Sequence, residues 1–264
     1  MLNIDNIVKS FGNNHDTSTR VLDGVNLTVG TGEFLTILGP SGCGKSTLLS
    51  LIAGFLGPES GEITVDGTRV NGPAEGRAVV FQQASLMPWR TVEKNVAYGL
   101  TLQRVLGRND IPARVKAAIA TVGLQGYEHH YPHQISGGMQ QRVNLARALA
   151  TQPDLLLMDE PFGALDALTK EVLQDELLEI VQKRTSTTIF ITHDIEEAVF
   201  LGDRVVVMSA RPGRIAHIQE LPFERPRDRT LMKSAEFTSI VSELREMLRH
   251  EPTSAGSREG VDVL

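Results

Sequence analysis

The chain has 264 residues, 41% of them hydrophobic and 22% charged, and a net charge of −6. That length fits one large domain or two small ones, and the composition fits a soluble globular chain with an ample core. The acidic balance argues against nucleic acid as a main partner, the single cysteine (Cys43) excludes an internal disulfide, and the longest apolar runs, near 48–56 and 155–158, fall far short of the roughly 18–20 residues that span a bilayer.

Met1–Asp5 carries an acid early and no apolar stretch, so no secretory signal is expected. Strands are predicted at Ile4–Val8, Val25–Val29 and Phe34–Leu38. Gly61–Gly67 reads as a short strand closed by Asp66-Gly67, a hairpin signal. Ala78–Phe81 is a further strand, ending at Gln82-Gln83. From Thr91 to Ala150 the texture is helical, with breaks expected at Gly107, Pro112, Gly123 and Pro132. Alternation then resumes: strand Leu155–Met158, helix Ala167–Lys183, strand Thr188–Ile191, helix Ile195–Leu201, strand Arg204–Met208. Strand–helix alternation predicts an α/β fold with a mainly parallel sheet, into which the helical block is inserted. The tail after Glu251 is polar and Gly/Ser-rich and is expected to be disordered.

Between the third strand and a following helix stand Gly39, Pro40, Ser41, Gly42, Cys43, Gly44, Lys45, Ser46 and Thr47, a G-x-x-x-x-G-K-S phosphate loop in the strand–loop–helix context it needs. Glycines let the loop curl so that its N–H groups face phosphate oxygens, and the helix N-terminus adds free donors and partial positive charge. Lys45 can reach the terminal phosphates of a nucleotide, and the Ser46 hydroxyl can bind Mg²⁺. Leu155–Pro161 is an apolar strand ending in two acids. Beside a phosphate loop, Asp159 is placed to hold Mg²⁺ through water, and Glu160 to polarise an attacking water. Ile135 to Arg142 reads I-S-G-G-M-Q-Q-R at the start of another helix. Ser136, Gly137 and Gly138 there form a second anion-binding N-terminus, and two such sites far apart in sequence suggest that one nucleotide is sandwiched between them.

This set of motifs resembles the ATP-binding-cassette (ABC) ATPases, over residues 1 to about 213. The usual signature is L-S-G-G-Q; Ile135 and Met139 are mild departures, since the serine hydroxyl and glycine backbone carry the phosphate contacts. The resemblance implies an ABC-type P-loop NTPase: a mainly parallel core sheet, an N-terminal antiparallel β region and an inserted helical subdomain. Residues 1–250 are then a single ATPase domain. Within it, 1–86 and 151–215 form the nucleotide-binding core, 87–150 the helical subdomain and 216–250 a C-terminal segment.

The resemblance also assigns roles. Phe11 matches the aromatic that stacks on adenine, more often Tyr in the family. Gln82 matches the glutamine that touches Mg²⁺ and the attacking water and senses the membrane partner. Ala164-Leu165-Asp166 matches the loop at the dimer interface, and His193 the switch histidine that contacts the γ-phosphate. Two cassettes pair head to tail, so that Ser136 and Gly138 of one copy close on the ATP held by Lys45 of the other.

Three features remain outside those motifs. The cluster His129, His130, His133 lacks metal-ligand spacing and reads as a loop. The arginines at 204, 211, 214, 225, 227 and 229, interleaved with acids, read as a solvated surface. Cys43 reads as a small residue at a variable loop position, or as a reactive thiol activated by the helix N-terminus.

The segments 72–73, 79–82, 86–92, 161–169 and 209–215 resemble the ATP-binding subunits of bacterial importers for nitrate, taurine and other sulfonates. That implies a second copy or homologous ATPase subunit, transmembrane permease subunits with a contact near Trp89, an extracytoplasmic solute-binding protein acting indirectly, and a peripheral place on the cytoplasmic face of the membrane. An exporter cassette and a soluble cassette acting on DNA or ribosomes are the alternatives.

Overall fold

The computed structural model describes residues 1–12, 18–103, 107, 109–163, 165–183 and 186–250, without the side chains of 103, 182, 183 and 250. The expected disordered tail lies outside the described residues. In chain order the elements are β1 (Leu2–Phe11), β2 (Thr19–Val29), β3 (Phe34–Leu38), α1 (Lys45–Ala53), β4 (Ser60–Val65), β5 (Thr68–Arg69) and β6 (Arg77–Val80). There follow α2 (Val92–Gln103), α3 (Ile111–Thr121), α4 (Gly137–Ala150), β7 (Leu155–Asp159), α5 (Ala167–Lys183), β8 (Thr187–Ile191), α6 (Ile195–Leu201), β9 (Arg204–Met208), β10 (Ile215–Glu220) and α7 (Ala235–His250). Short 3₁₀ turns occupy Pro132–Gln134 and Arg229–Lys233.

One sheet is antiparallel, in the order β2-β1-β4-β5. The Asp66-Gly67 hairpin forms as expected, both residues having positive φ and Val65 pairing with Thr68. The other sheet runs β10-β9-β3-β8-β7-β6, parallel from β9 to β6, with β10 antiparallel on its edge. Its central strands β3, β7, β8 and β9 are buried on both faces, which is why they read as unbroken apolar runs. Alternate residues enter opposite cores. Phe34, Met158, Phe190 and Val207 face the core shared with α2 to α7, while Ile37, Leu157, Ile191 and Val206 face α1 and the antiparallel sheet.

The helical block follows its apolar spacing: Val92, Val96 and Leu100 on α2, and Val115 and Ile119 on α3, enter the first of those cores. Pro112 does not break a helix. It sits in the first turn of α3, where an N–H has no intrahelical partner and proline costs nothing. Residues 216–250, assigned no elements from sequence, hold most of β10, the second 3₁₀ turn and α7, whose Phe237, Ile240, Val241 and Leu244 complete the same core.

Of the six arginines, Arg211 and Arg214 are exposed as expected, but Arg204, Arg225, Arg227 and Arg229 are drawn into the fold. Arg204 pairs with Glu33 at 2.9 Å, and Arg214 pairs with Asp23. Arg225 donates to Asp203 (2.9 Å) and to the Leu201 carbonyl (2.7 Å). Arg227 is buried and donates to the carbonyls of Phe200, Gly202 and Phe223. Arg229 reaches Asp175, Gln174 and the Glu171 carbonyl. Guanidinium forks thus satisfy the carbonyls at the end of α6, which a helix terminus leaves without partners.

Candidate functional site

The phosphate loop connects β3 to α1 at the carboxyl end of the parallel sheet. Gly42 and Gly44 adopt positive φ (77° and 101°), and a Cβ on Gly44 would lie 2.7 Å from Leu22 Cδ2, so this loop path needs glycine. Lys45 is buried, and its ammonium donates back to the Gly39 and Pro40 carbonyls at 2.7 and 3.1 Å, drawing the loop around itself. An open groove of about 380 Å³ runs along the loop, bounded by Phe11, Ser41, Gly42, Ser46, Thr47, Glu160 and Arg211. Phe11 stands half-exposed at the end of β1, with the Lys9 ammonium 5.5 Å from its ring centre.

Asp159 ends β7 and shares a hydrogen bond with the Ser46 hydroxyl. Burial pushes its carboxyl above the usual carboxylate range, against that hydrogen bond and the nearby Lys45 charge. Glu160 takes a left-handed turn (φ 44°), its N–H donating to the Ile191 carbonyl at 2.9 Å. Its Oε2 then meets His193 Nδ1 at 3.2 Å and Gln82 Nε2 at 3.5 Å. Gln82 follows β6 on a loop held from α4: Gln141 and Asn144 donate to the Phe81 carbonyl, and Arg147 to those of Ala84 and Ser85.

The signature residues stand apart from this groove. Ser136 caps α4, its hydroxyl accepting the Met139 N–H at 3.2 Å, and Gly137 and Gly138 form the first turn. Asp166 caps α5 by accepting the Thr169 N–H at 3.0 Å. The two caps are neighbours, since a Cβ on Gly138 would lie 3.4 Å from Thr169 Cγ2 and 3.6 Å from Leu165 Cδ2. Ala164 lies outside the described residues. Trp89 is 74% exposed, on a turn whose backbone is held by the buried Asn95 amide. His129 faces Glu93, and His133 stacks on Tyr131.

Two sequence readings change here. Cys43 is not an activated thiol facing the groove: it packs in the core behind the loop, and burial pushes its pKa up despite Lys45. Arg211 belongs to the groove, its Nε donating to the Gly42 carbonyl at 2.6 Å. Its sequence signal lay in the 209–215 segment, where Gly213 joins β2 through Val21 and Asp23.

Among the described residues no helix is long and apolar enough to cross a membrane. The family model described as "ABC transporter" matches residues 22–163. An uncharacterized ABC transporter ATP-binding protein of Methanocaldococcus jannaschii is 51% identical over 250 residues, 95% of this chain and 92% of that protein. An aliphatic sulfonates import ATP-binding protein of Bacillus cereus is 46% identical over 229 residues, 87% of this chain and 89% of that protein. Among solved structures, the dimeric post-hydrolysis state of an ATP-binding cassette bound to ADP and Pi superposes with a TM-score of 0.75 at 30% identity, over 85% of this chain and all of that one. With the phosphate loop, the paired acids and the signature helix in one such α/β fold, the chain belongs to the ABC transporter family, as an ATP-binding cassette with ATPase activity.

Proposed function

We propose that this cassette energises import of a sulfonate-like solute, and that it does so as one half of a head-to-tail pair. The observation that carries the catalytic reading is the convergence of Gln82 and His193 on the Glu160 carboxylate at the mouth of the phosphate-loop groove. The import role is supported by the Bacillus cereus relative.

Phe11 stacks on the adenine, and the backbone of residues 39–47, with the Arg211 side chain, lines the path of the phosphates while the Cys43 side chain packs behind it. The oxygen donors of Ser46 and Asp159, with Gln82 nearby, fit a hard cation such as Mg²⁺, which would also relieve the cost of burying the Asp159 charge. Mg²⁺ bound there supplies positive charge against the phosphate oxygens. Glu160 orients and polarises the attacking water. Lys45 and His193 stabilise charge on the γ-phosphoryl group. Positioning and electrostatics suffice, because that group passes through a loose transition state.

Ser136, Gly137 and Gly138 stand away from the groove of their own chain. They and the Asp166 loop close on the nucleotide of a partner cassette, as the dimeric solved relative suggests. Residues 87–150 act as the helical unit that carries the signature. Permease subunits dock near Trp89 and the Gln82 loop, which places the chain peripherally on the cytoplasmic face; the solute-binding protein acts only through the permease. Removing this chain from its source cell should abolish uptake of labelled alkanesulfonates such as taurine. Unchanged sulfonate uptake would overturn the assigned cargo.

A further inference from the structure

The loop that carries His193 is pinned on both sides. Thr192 is buried, and its hydroxyl donates to Glu197 Oε2. Asp194 N–H donates back to that hydroxyl at 3.1 Å, and Asp194 Oδ1 accepts the Glu197 N–H at 3.2 Å to start α6. Gln174 of α5 donates to Glu197 Oε1 at 2.7 Å. Two carboxylates, Asp194 and Glu197, therefore face α5 from the His193 side.

One cation serves both. Lys170 Nζ lies 2.7 Å from Asp194 Oδ2 and 3.3 Å from Glu197 Oε1. Burial lowers the affinity of Lys170 for its proton, but the hydrogen bonds and charge of these two partners outweigh it and hold the ammonium above its ordinary range. Lys170 also stands at the start of α5, its N–H donating to the Asp166 carbonyl at 2.9 Å. The turn capped by Asp166 and the loop bearing His193 thus meet at one residue, the first through the Lys170 backbone and the second through its ammonium.

We propose that Lys170 is a positioning residue that ties the Asp166 turn to the His193 loop, so that the seating of the turn sets where the imidazole stands beside Glu160. Among the described residues none that lines the groove bonds to Lys170, Asp194 or Glu197, so within this chain the tie reaches the groove through the backbone that carries His193 between Thr192 and Asp194. It rests on the role proposed for His193.

The test is a double-mutant cycle on single-turnover hydrolysis of γ-³²P-ATP by the full chain, with Mg-ATP affinity and unfolding temperature measured alongside. Lys170→Met should lower the hydrolysis rate roughly tenfold while leaving Mg-ATP affinity within about twofold, and Lys170→Arg should restore most of it. In a His193→Ala background, Lys170→Met should change the residual rate less than about twofold, because the group it positions is gone. The same fold loss in both backgrounds, or no loss in the wild-type background, would overturn the proposal and leave the His193 reading standing. A His193→Ala chain with unchanged turnover would overturn both. Should Lys170→Met fail to fold, Lys170→Gln keeps a hydrogen-bond donor without the charge and carries the same cycle.

Discussion

Glu160 Oε2 and His193 Nδ1 stand 3.2 Å apart, joined across 33 positions of sequence by the neighbouring strands β7 and β8. The left-handed turn at Glu160 sets the start of its side chain, and His193 follows β8 on the adjacent strand end. On the proposed reading, a carboxylate so placed takes a proton from water while the imidazole beside it meets the γ-phosphate.

Glu160→Gln keeps the size and one acceptor oxygen but removes the base. ATP binding should persist, while turnover falls about 10²-fold or more, the scale of general-base loss. An ATP-bound dimer should accumulate and be visible by size-exclusion chromatography. Turnover near the wild-type rate would remove Glu160 from the role.

The separation of the signature cap from the groove sets up a mixing experiment. Ser136→Arg blocks the signature side, and Lys45→Ala removes the ammonium that spans the phosphate loop. Each chain alone should be inactive. In a head-to-tail mixed dimer one site joins the intact loop of the first chain to the intact signature of the second, so ATPase activity should return on mixing. Full activity in Ser136→Arg alone would rule out the trans arrangement.

Local chemistry was legible in the sequence and long-range pairing was not. The phosphate loop is one contiguous run whose glycines, lysine and serine each have a local reason, and β3, β7, β8 and β9 announce themselves as apolar runs because both faces are buried. The strand order β9-β3-β8-β7-β6 depends on pairings between distant segments, which no local pattern encodes. Arg211 is exposed as expected, but its bond to the phosphate loop was hidden because its partner, the Gly42 carbonyl, lies 169 positions away. Arg225, Arg227 and Arg229 read as solvated because their acceptors lie on α5, α6 and its end. The α7 pattern, Phe237, Ile240, Val241 and Leu244, was present at helical spacing and passed over in a polar stretch.

Cys43 gives a prediction opposite in sign to its sequence context. A thiol at a helix N-terminus should be acidic, but this one is buried among apolar side chains and its pKa is raised. Native protein should resist a maleimide at neutral pH, with or without Mg-ATP, and react rapidly once unfolded in urea. As the chain's only cysteine, it can be scored by intact mass. Fast modification of the native protein, slowed by Mg-ATP, would instead put the thiol in the groove.

Arg227 tests the C-terminal ties. Its side chain is 1% exposed, and burial, with the neighbouring Arg225 charge, pushes its pKa down to about 10. It remains charged at neutral pH because it lies 3.5 Å from Asp203 and donates to three carbonyls, those of Phe200, Gly202 and Phe223. Arg227→Met fills the volume but leaves those three carbonyls without their donor, while Asp203 keeps Arg225. The loss should destabilise the fold by about 3 kcal/mol, the scale of leaving several buried carbonyls without a charged donor. Urea unfolding should show an earlier midpoint with an unchanged slope. Arg227→Lys should recover only part of it, because one ammonium cannot present the planar fork that reaches Phe200 and Gly202 on one side and Phe223 on the other. A midpoint unchanged in Arg227→Met would mean that water replaces the guanidinium at no cost.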